Sequence, residues 1–458
     1  MSTRSTTLSI PDLREALHGR VIAPDDDGYD EARTLFYGGM DRRPAVIARA
    51  ADATDVAHVI SLARESGVEL AVRSGGHSIA GHSESHGGIT LDLSEMRVLD
   101  IDVEGRTAWA EAGVPAGEYT TAAGAHGLAT GFGDAGSVAV AGITLGGGVG
   151  FLARKHGLTI DDLLAADVVT ADGELVHADA ESHPDLFWAI RGGGGNFGVA
   201  TRLRFRLHEV GTILGGILIL PATPETILGF VDQANAAPEE LSTIANVMKA
   251  PPMPFLPEEA HGQLVILAML AYAGDVDAGE RAVAPFRNLA EPVADMVRAM
   301  PYPEMYMPEE EGYHPIGVTR SMFVDALDRE AAETIVGGLK SSTAQMAVTQ
   351  IRVLGGAVAR VPAEATAFAH RNRRIMMNVA ALVERADEVP EHDAWAARLA
   401  ADLRDGDGVY VNFLGDEGPA RVREAYPGPT WERLRAIKRQ YDPANLFRLN
   451  QNIPPAEH

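Results

Sequence analysis

The feature that most limits how this chain can fold is the crowding of its glycines between about residues 75 and 198, in runs such as Gly146-Gly147-Gly148 and Gly192 to Gly195. Glycine loses more conformational freedom on folding than any other residue, so such runs belong where the backbone needs φ > 0 or must approach another group closely. A glycine-dense first half followed by a stretch of ordinary composition reads as a ligand-cradling domain and then a covering domain.

The first half opens as a βαβ unit. Pro44 to Ala50 is a short apolar strand, and Thr54 can cap a helix whose Val56, Val59, Ile60 and Ala63 share one face before Gly67 ends it. Val68 to Val72 is a second strand that stops abruptly at Arg73-Ser74-Gly75-Gly76-His77-Ser78. Ile89 to Leu93 and Val98 to Ala112 read as further strands, Val168 to His177 as a hairpin turning at Asp172-Gly173, and Thr201 to Val210 as a half-buried alternating strand. From about Gly211 to Asn412 the pattern changes. Apolar strands (Ile213 to Leu220, Leu264 to Ala271) alternate with helical stretches (Asp328 to Leu339, Asp393 to Leu403), which predicts an antiparallel sheet with helices on one face. The acidic run Glu309-Glu310-Glu311 reads as a solvated loop.

Charge and cysteine content narrow the chemistry. Lys and Arg number 39 against 64 Asp and Glu, a net charge of −25, so phosphate neutralisation on a nucleic acid or an anionic membrane is disfavoured. The absence of cysteine excludes disulfides, thiolate metal sites and a cysteine nucleophile. No apolar run reaches the roughly 18 residues of a membrane span, and Met1 to Arg20 carries no apolar secretory core, so a cytoplasmic protein is expected.

The glycine loops are candidate phosphate sites. Gly193-Gly194-Gly195-Asn196-Phe197-Gly198 fits G-x-G-x-x-G, but a helix-like stretch, Asp185 to Arg191, precedes it and a strand follows. A dinucleotide fingerprint needs the reverse order, and no acid lies about 20 residues on to hold a ribose. The turn Arg73 to Ser78 is different. It leaves a strand and offers successive backbone N–H groups, an anion-binding nest that can hold a diphosphate with backbone dipoles and one arginine. Gly142-Ile143-Thr144-Leu145-Gly146-Gly147-Gly148-Val149-Gly150 supplies a second wall. The bland alternative, for either loop taken singly, is a tight turn in a crowded sheet.

Three histidines, His77, His82 and His86, stand close together in the first glycine loop. His82 and His86 have the spacing of a zinc-binding helix, but the glycines and serines between them oppose helix, and no metal is expected. His77 and His82 are candidates to contact whatever the nest holds, His77 as hydrogen-bond partner or covalent nucleophile. His86 reads as a loop histidine, and Phe132, Trp188 and Phe197 as core.

Five segments carry a family resemblance: Arg73 to Ser78, Leu145 to Gly150, Thr170-Ala-Asp-Gly173, Asp185 to Gly198 and Tyr441 to Ile453. In this order they resemble the berberine bridge enzyme-like FAD-linked oxidases of the vanillyl-alcohol oxidase group, over about residue 40 to the C-terminus. The resemblance implies an α+β fold, with a PCMH-type two-subdomain FAD-binding domain and an antiparallel-sheet substrate domain covered by helices. The expected organisation is 1–211 for FAD binding (core about 40–211), 212–412 for substrate and 413–458 returning to the FAD domain. It implies a flavin 8α-methyl bond to His77, and a diphosphate held by Arg73, Ser74, Gly75, Gly76, His77 and Ser78. Gly136, Ser137, Gly142, Thr144, Gly146, Gly147 and Gly150 would line the cofactor. Val199 would lie on the adenosine side, and Tyr410, Asn412 and Asn450 at the isoalloxazine end.

This chain departs from the family pattern in two places. Ala135, in Gly131-Phe132-Gly-Asp-Ala135, stands where many members attach flavin a second time through cysteine, which leaves the histidyl bond alone. Phe413 follows Tyr410-Val-Asn412 where sugar oxidases carry tyrosine, which weakens a carbohydrate assignment. The expected reaction oxidises an alcohol, sugar, phenol or amine-bearing small molecule and reduces molecular oxygen to hydrogen peroxide. Tyr410 is the candidate base. Its phenol titrates near pH ~10 and needs an adjacent cation, for which Arg371 and His370 are the candidates. A dehydrogenase with poor oxygen reactivity and a non-catalytic flavin carrier remain alternatives; oligomeric state is not legible.

Overall fold

A computed structural model describes residues 8–308 and 312–457. The acidic run 309–311 and the first seven residues lie outside the described residues. Strands β1 (Arg20–Ile22), β2 (Val46–Arg49), β3 (Leu70–Arg73) and β4 (Ile89–Asp92) form a small sheet in the order β1-β2-β4-β3, with β2 and β3 both parallel to β4. The expected helix spans Ala53–Ser66 and buries Val56, Val59, Ile60 and Ala63. Its cap is Asp52, not Thr54: the carboxylate accepts from the backbone N–H of Thr54 and Asp55 at 2.8 and 3.0 Å, and aspartate is the stronger cap. Gly67 ends it in the left-handed region, at φ 68°.

The next sheet is antiparallel and has the order β5-β6-β10-β8-β9. It comprises β5 (Leu99–Asp102), β6 (Thr107–Glu111), β8 (Leu163–Val169), β9 (Leu175–Asp179) and β10 (Val199–Arg206); β7 (Leu128–Ala129) and β11 (His208–Glu209) make a separate two-stranded pair. The single expected strand from Val98 to Ala112 is thus a hairpin, reversing where Arg106 takes φ 50°. Phe132, Trp188 and Phe197 are buried in the core shared by these two sheets.

The remainder is one antiparallel sheet: β12 (Thr212–Pro221), β13 (Leu241–Lys249), β14 (Leu264–Tyr272), β15 (Ala294–Asp295), β16 (Arg298–Pro301), β17 (Ile316–Val324), β18 (Met346–Val353) and β19 (Ile375–Val383). Helices Pro224–Ala236, Val276–Arg287, Arg329–Ser341 and Val389–Leu403 cover one face. Alternation along each strand divides the sheet cleanly. Ala245, Val247, Ile351, Met377 and Val379 meet the helices, and the residues between them point the other way, toward the glycine-rich half. No helix among the described residues is long and apolar enough to cross a membrane.

The chain then returns. The helix Pro429–Tyr441 places Lys438, wholly buried, against Asp442 at 2.7 Å, and the same ammonium donates to the Asn196 and Phe447 carbonyls. Asp442 also accepts the N–H groups of Leu446 and Phe447, so this pair folds the tail back onto the turn at Asn196. Removing one member of a buried ion pair strands the other charge. Asp442→Ala should therefore lower unfolding stability by about 3–5 kcal/mol, read as a shift of the urea midpoint, whereas Arg385→Ala, in an exposed pair, should move it hardly at all.

Candidate active site

Two glycine walls meet where Gly75 lets its bare backbone approach Ala139. A Cβ on Gly75 would come within 2.7 Å of the Ala139 nitrogen, and one on Gly142 would lie 3.4 Å from Ser74 Oγ. Gly75, Ser137 and Gly142 are exposed, and Ser74, His77 and Ser78 half-buried, so the meeting line is an open trough edged by backbone. Gly76 takes φ 72° in the turn, as a nest requires.

His77 is held on this trough from two sides. Its ring stacks on Phe36 with centroids 4.1 Å apart, and its Nε2 lies 3.0 Å from Ser137 Oγ. Gly136 lies beside Gly117 and Tyr306. His82 sits on the same loop, its backbone N–H donating to Ser78 Oγ at 3.3 Å. The stretch 78–88 is not helical, so the zinc-helix spacing of His82 and His86 is not realised, and His86 is exposed.

Arg73 corrects one expectation. Its guanidinium is buried and fully engaged with Glu84, Asp92 and the Ala32 carbonyl at 2.7–2.9 Å. It anchors the root of the loop, at the end of β3 from which the backbone of residues 74–78 leaves. Both Nη groups are committed to partners inside the fold, and Asp92 is shared with Arg49 at 2.8 Å, so this guanidinium is not turned to a phosphate.

The returning segment closes the other end. Tyr410 Oη accepts the Gly148 N–H at 2.8 Å and the Asn412 Nδ2–H at 2.9 Å, and Asn412 Nδ2 also reaches the Ile143 carbonyl at 2.9 Å. A Cβ on Gly146 would overlap the Asn412 carboxamide, and one on Gly147 would lie 3.2 Å from the Tyr410 ring. Gly150 packs onto the Phe132 carbonyl, and Thr144 is buried with its hydroxyl donating to the Val140 carbonyl at 2.5 Å. Asn450 Nδ2 donates to the Gly195 and Phe447 carbonyls. Val199 is buried in β10 opposite Val169. The G-x-G-x-x-G stretch lies between helix Pro184–Ile190 and β10, the order expected to exclude a dinucleotide fingerprint, and Asn196 there braces the tail.

The cations expected beside Tyr410 are elsewhere. Arg371 makes a bidentate pair with Asp161 at 2.7 and 2.8 Å, and His370 stacks on Phe323 and donates to the Glu424 carbonyl. Burial pushes the Tyr410 phenol up to about 12, against the lowering effect of its two N–H donors and of Arg352. Arg352, on β18, was not legible as a site residue. It donates to Asp134 Oδ2 and to the Val149 carbonyl, both at 2.8 Å, and lies over the Phe413 ring at 5.3 Å. Only its strand register could have found it: it sits two residues beyond Gln350 on the face turned from the helices.

An FAD can be tested against this geometry. The backbone trough suits a diphosphate in a chain with few lysines. The carboxamide oxygens of Asn450 and Asn452 are buried without a hydrogen-bond partner, as acceptors reserved for a ligand's N–H or O–H groups would be. The residues fit the group.

Fold and site together define a flavoprotein oxidoreductase with a PCMH-type FAD-binding domain. A family model described as FAD binding domain matches residues 44–179, and one described as berberine and berberine like matches residues 409–454. The chain is 31% identical over 460 residues to (R)-6-hydroxynicotine oxidase of Paenarthrobacter nicotinovorans, covering 96% of this chain and 97% of that one. It is 30% identical over 445 residues to a xylooligosaccharide oxidase of Thermothelomyces thermophilus, covering 90% and 88%. The crystal structure of 6-hydroxy-D-nicotine oxidase from Arthrobacter nicotinovorans superposes with a TM-score of 0.85 at 29% identity, covering 96% of this chain and 98% of that one. The chain belongs to the berberine bridge enzyme-like family of FAD-linked oxidoreductases, and its cofactor is FAD.

Two outcomes follow from this geometry. Gly146→Ala should expel Asn412 from its pocket and lower both flavin occupancy and thermal midpoint, while Gly337→Ala, in the helix Arg329–Ser341 where a Cβ meets open space, should retain both. Burial also pushes His82 and His370 down to about 4. The unfolded chain therefore takes up these protons first as pH falls below the ordinary histidine value of ~6.5. Stability should drop between about pH 6.5 and 4, and His370→Gln should flatten that drop in a pH series of denaturation midpoints.

Proposed function

We propose that this chain is an FAD-dependent oxidase of a small alcohol, sugar, phenol or amine-bearing metabolite, with the flavin attached through His77 alone. In this reading residues 1–211 and 413–458 make the FAD domain and residues 212–412 the substrate domain. The observation that carries it is the closure of one trough by His77–Ser137 at one side and by Tyr410–Asn412 on Gly146–Gly148 at the other. When bound, an FAD would supply a two-electron oxidation, with molecular oxygen as the final acceptor and hydrogen peroxide as its product.

The chain's own residues do the rest. Residues 74–78 bind the diphosphate through backbone N–H groups. Ser137, within hydrogen-bond reach of Nε2, fixes the orientation of the His77 ring, and Phe36 fixes its plane. Ala135 offers no sulfur for a second bond. Tyr410 is the proposed catalytic residue. Both hydrogen bonds it accepts come from N–H donors, so the phenol's own proton is left to donate toward the substrate heteroatom. A phenol that stays neutral to about 12 would hold and orient that atom as a donor, in place of the base role expected from the sequence, and the proton the substrate loses on oxidation would pass to water. The names of the two relatives, both oxidases, support oxygen as acceptor.

The reading is tested by reducing the holoenzyme anaerobically with candidate substrates and then admitting air. Bleaching followed by rapid recolouring with stoichiometric peroxide is expected. Turnover with an artificial acceptor but not with oxygen would make it a dehydrogenase. Tyr410→Phe should lower kcat by roughly 10²–10³-fold with flavin content unchanged, the usual loss for one aimed hydrogen-bond donor.

A further inference from the structure

The sheet face turned toward the glycine-rich half carries a row of amides that the reading above does not use. Asn246, Gln350, Asn378 and Ser321 stand directly opposite one another across β13, β18, β19 and β17. Directly opposed residues share a face, and each of the four has a sequence neighbour in the helix-side core (Ala245 and Val247, Ile351, Met377 and Val379, Met322), so these four point toward the flavin domain. Gln350 Nε2 donates to Asn246 Oδ1 at 2.9 Å, and Arg352 Nε donates to Gln350 Oε1 at 2.9 Å. The chain of bonds ends on Asp134, one residue before Ala135 in the glycine wall. At the other end Thr319 Oγ1 donates to Asn378 Oδ1, so the N–H groups of Asn378 are not used in that bond.

The charge balance along this row is closed. Its one guanidinium and one carboxylate, Arg352 and Asp134, are spent on each other. The amides are half-buried and neutral, and an ammonium placed among them meets N–H donors and no free carboxylate, which is costly for a desolvated charge. The flanking wall is apolar and thioether-rich, with Met248, Met269 and Met346 beside Leu267 and Val348, a lining that adapts to an irregular apolar body.

We infer that the substrate is an uncharged, largely apolar molecule bearing hydroxyl or carbonyl oxygens, read by Asn246, Gln350 and Asn378, and that the site rejects cationic amines. This deepens the flavin oxidase reading and rests on it. The probes are 4-phenylbutan-1-ol and 4-phenylbutylammonium, isosteric but for the charge, titrated into the oxidised holoenzyme while the flavin spectrum is followed. The alcohol should perturb the spectrum with a Kd about tenfold or more below that of the ammonium, the scale of discrimination by an unpaired buried charge. Asn378→Asp, and separately Gln350→Glu, should each narrow that ratio by admitting the cation while leaving flavin content unchanged. Equal or tighter binding of the ammonium to the wild type, or no response to the alcohol, overturns the inference. A purified chain without flavin instead overturns the reading on which it rests.

Discussion

Everything in this molecule depends on one close approach: the bare backbone of Gly146–Gly148 against Tyr410 and Asn412, more than 260 residues away in sequence. No other residue type permits it, since a Cβ at Gly146 or Gly148 would overlap the Asn412 carboxamide or the Thr159 hydroxyl. The contact brings the segment that leaves the substrate sheet into the wall of the flavin trough. It also sets the character of Tyr410, because the approach that supplies its two N–H donors strips it of water. Desolvation outweighs those donors, and the phenol stays neutral.

The two halves are joined around the same place. Phe151 and Leu152 pack with Ile213, Ile244 and Met305, and Val149 and Leu158 pack with Phe323, Met376 and Tyr410. Buried arginines stitch across this joint by donating to carbonyls: Arg154 to Leu354 and Ala237, Arg352 to Val149. A chain with 39 basic and 64 acidic residues thus spends several of its interior cations on architecture. Arg73 and Lys438 follow the same rule, each locking a loop that borders the trough. In the proposed reading phosphate recognition falls to backbone dipoles, which needs glycine in place of lysine.

Much of this was legible in the sequence where local chemistry decides. The Ala53–Ser66 helix, the hairpin at Asp172-Gly173, the antiparallel sheet with helices on one face and the reversed order around Gly193–Gly198 are each set by periodicity or turn residues. The glycine walls could be located because their composition is abnormal. What could not be read were partners chosen by tertiary contact. Arg73 looked available for a phosphate until Glu84 and Asp92 claimed it, and Arg371 looked available to Tyr410 until Asp161 did. Arg352 and the amide row lie on ordinary strands, and nothing short of the register between β13, β18 and β19 brings them together.

The central claim is that one trough, edged by residues 74–78 and 136–150 and closed by the tail, holds a flavin whose sole covalent anchor is His77. Its most direct test is peptide mass mapping of the acid-denatured, protease-digested holoenzyme, with absorbance at the flavin band. The account predicts one yellow peptide, containing His77 and carrying the flavin mass, and none elsewhere in the chain. Flavin released free on denaturation, or found on a peptide lacking His77, would contradict it.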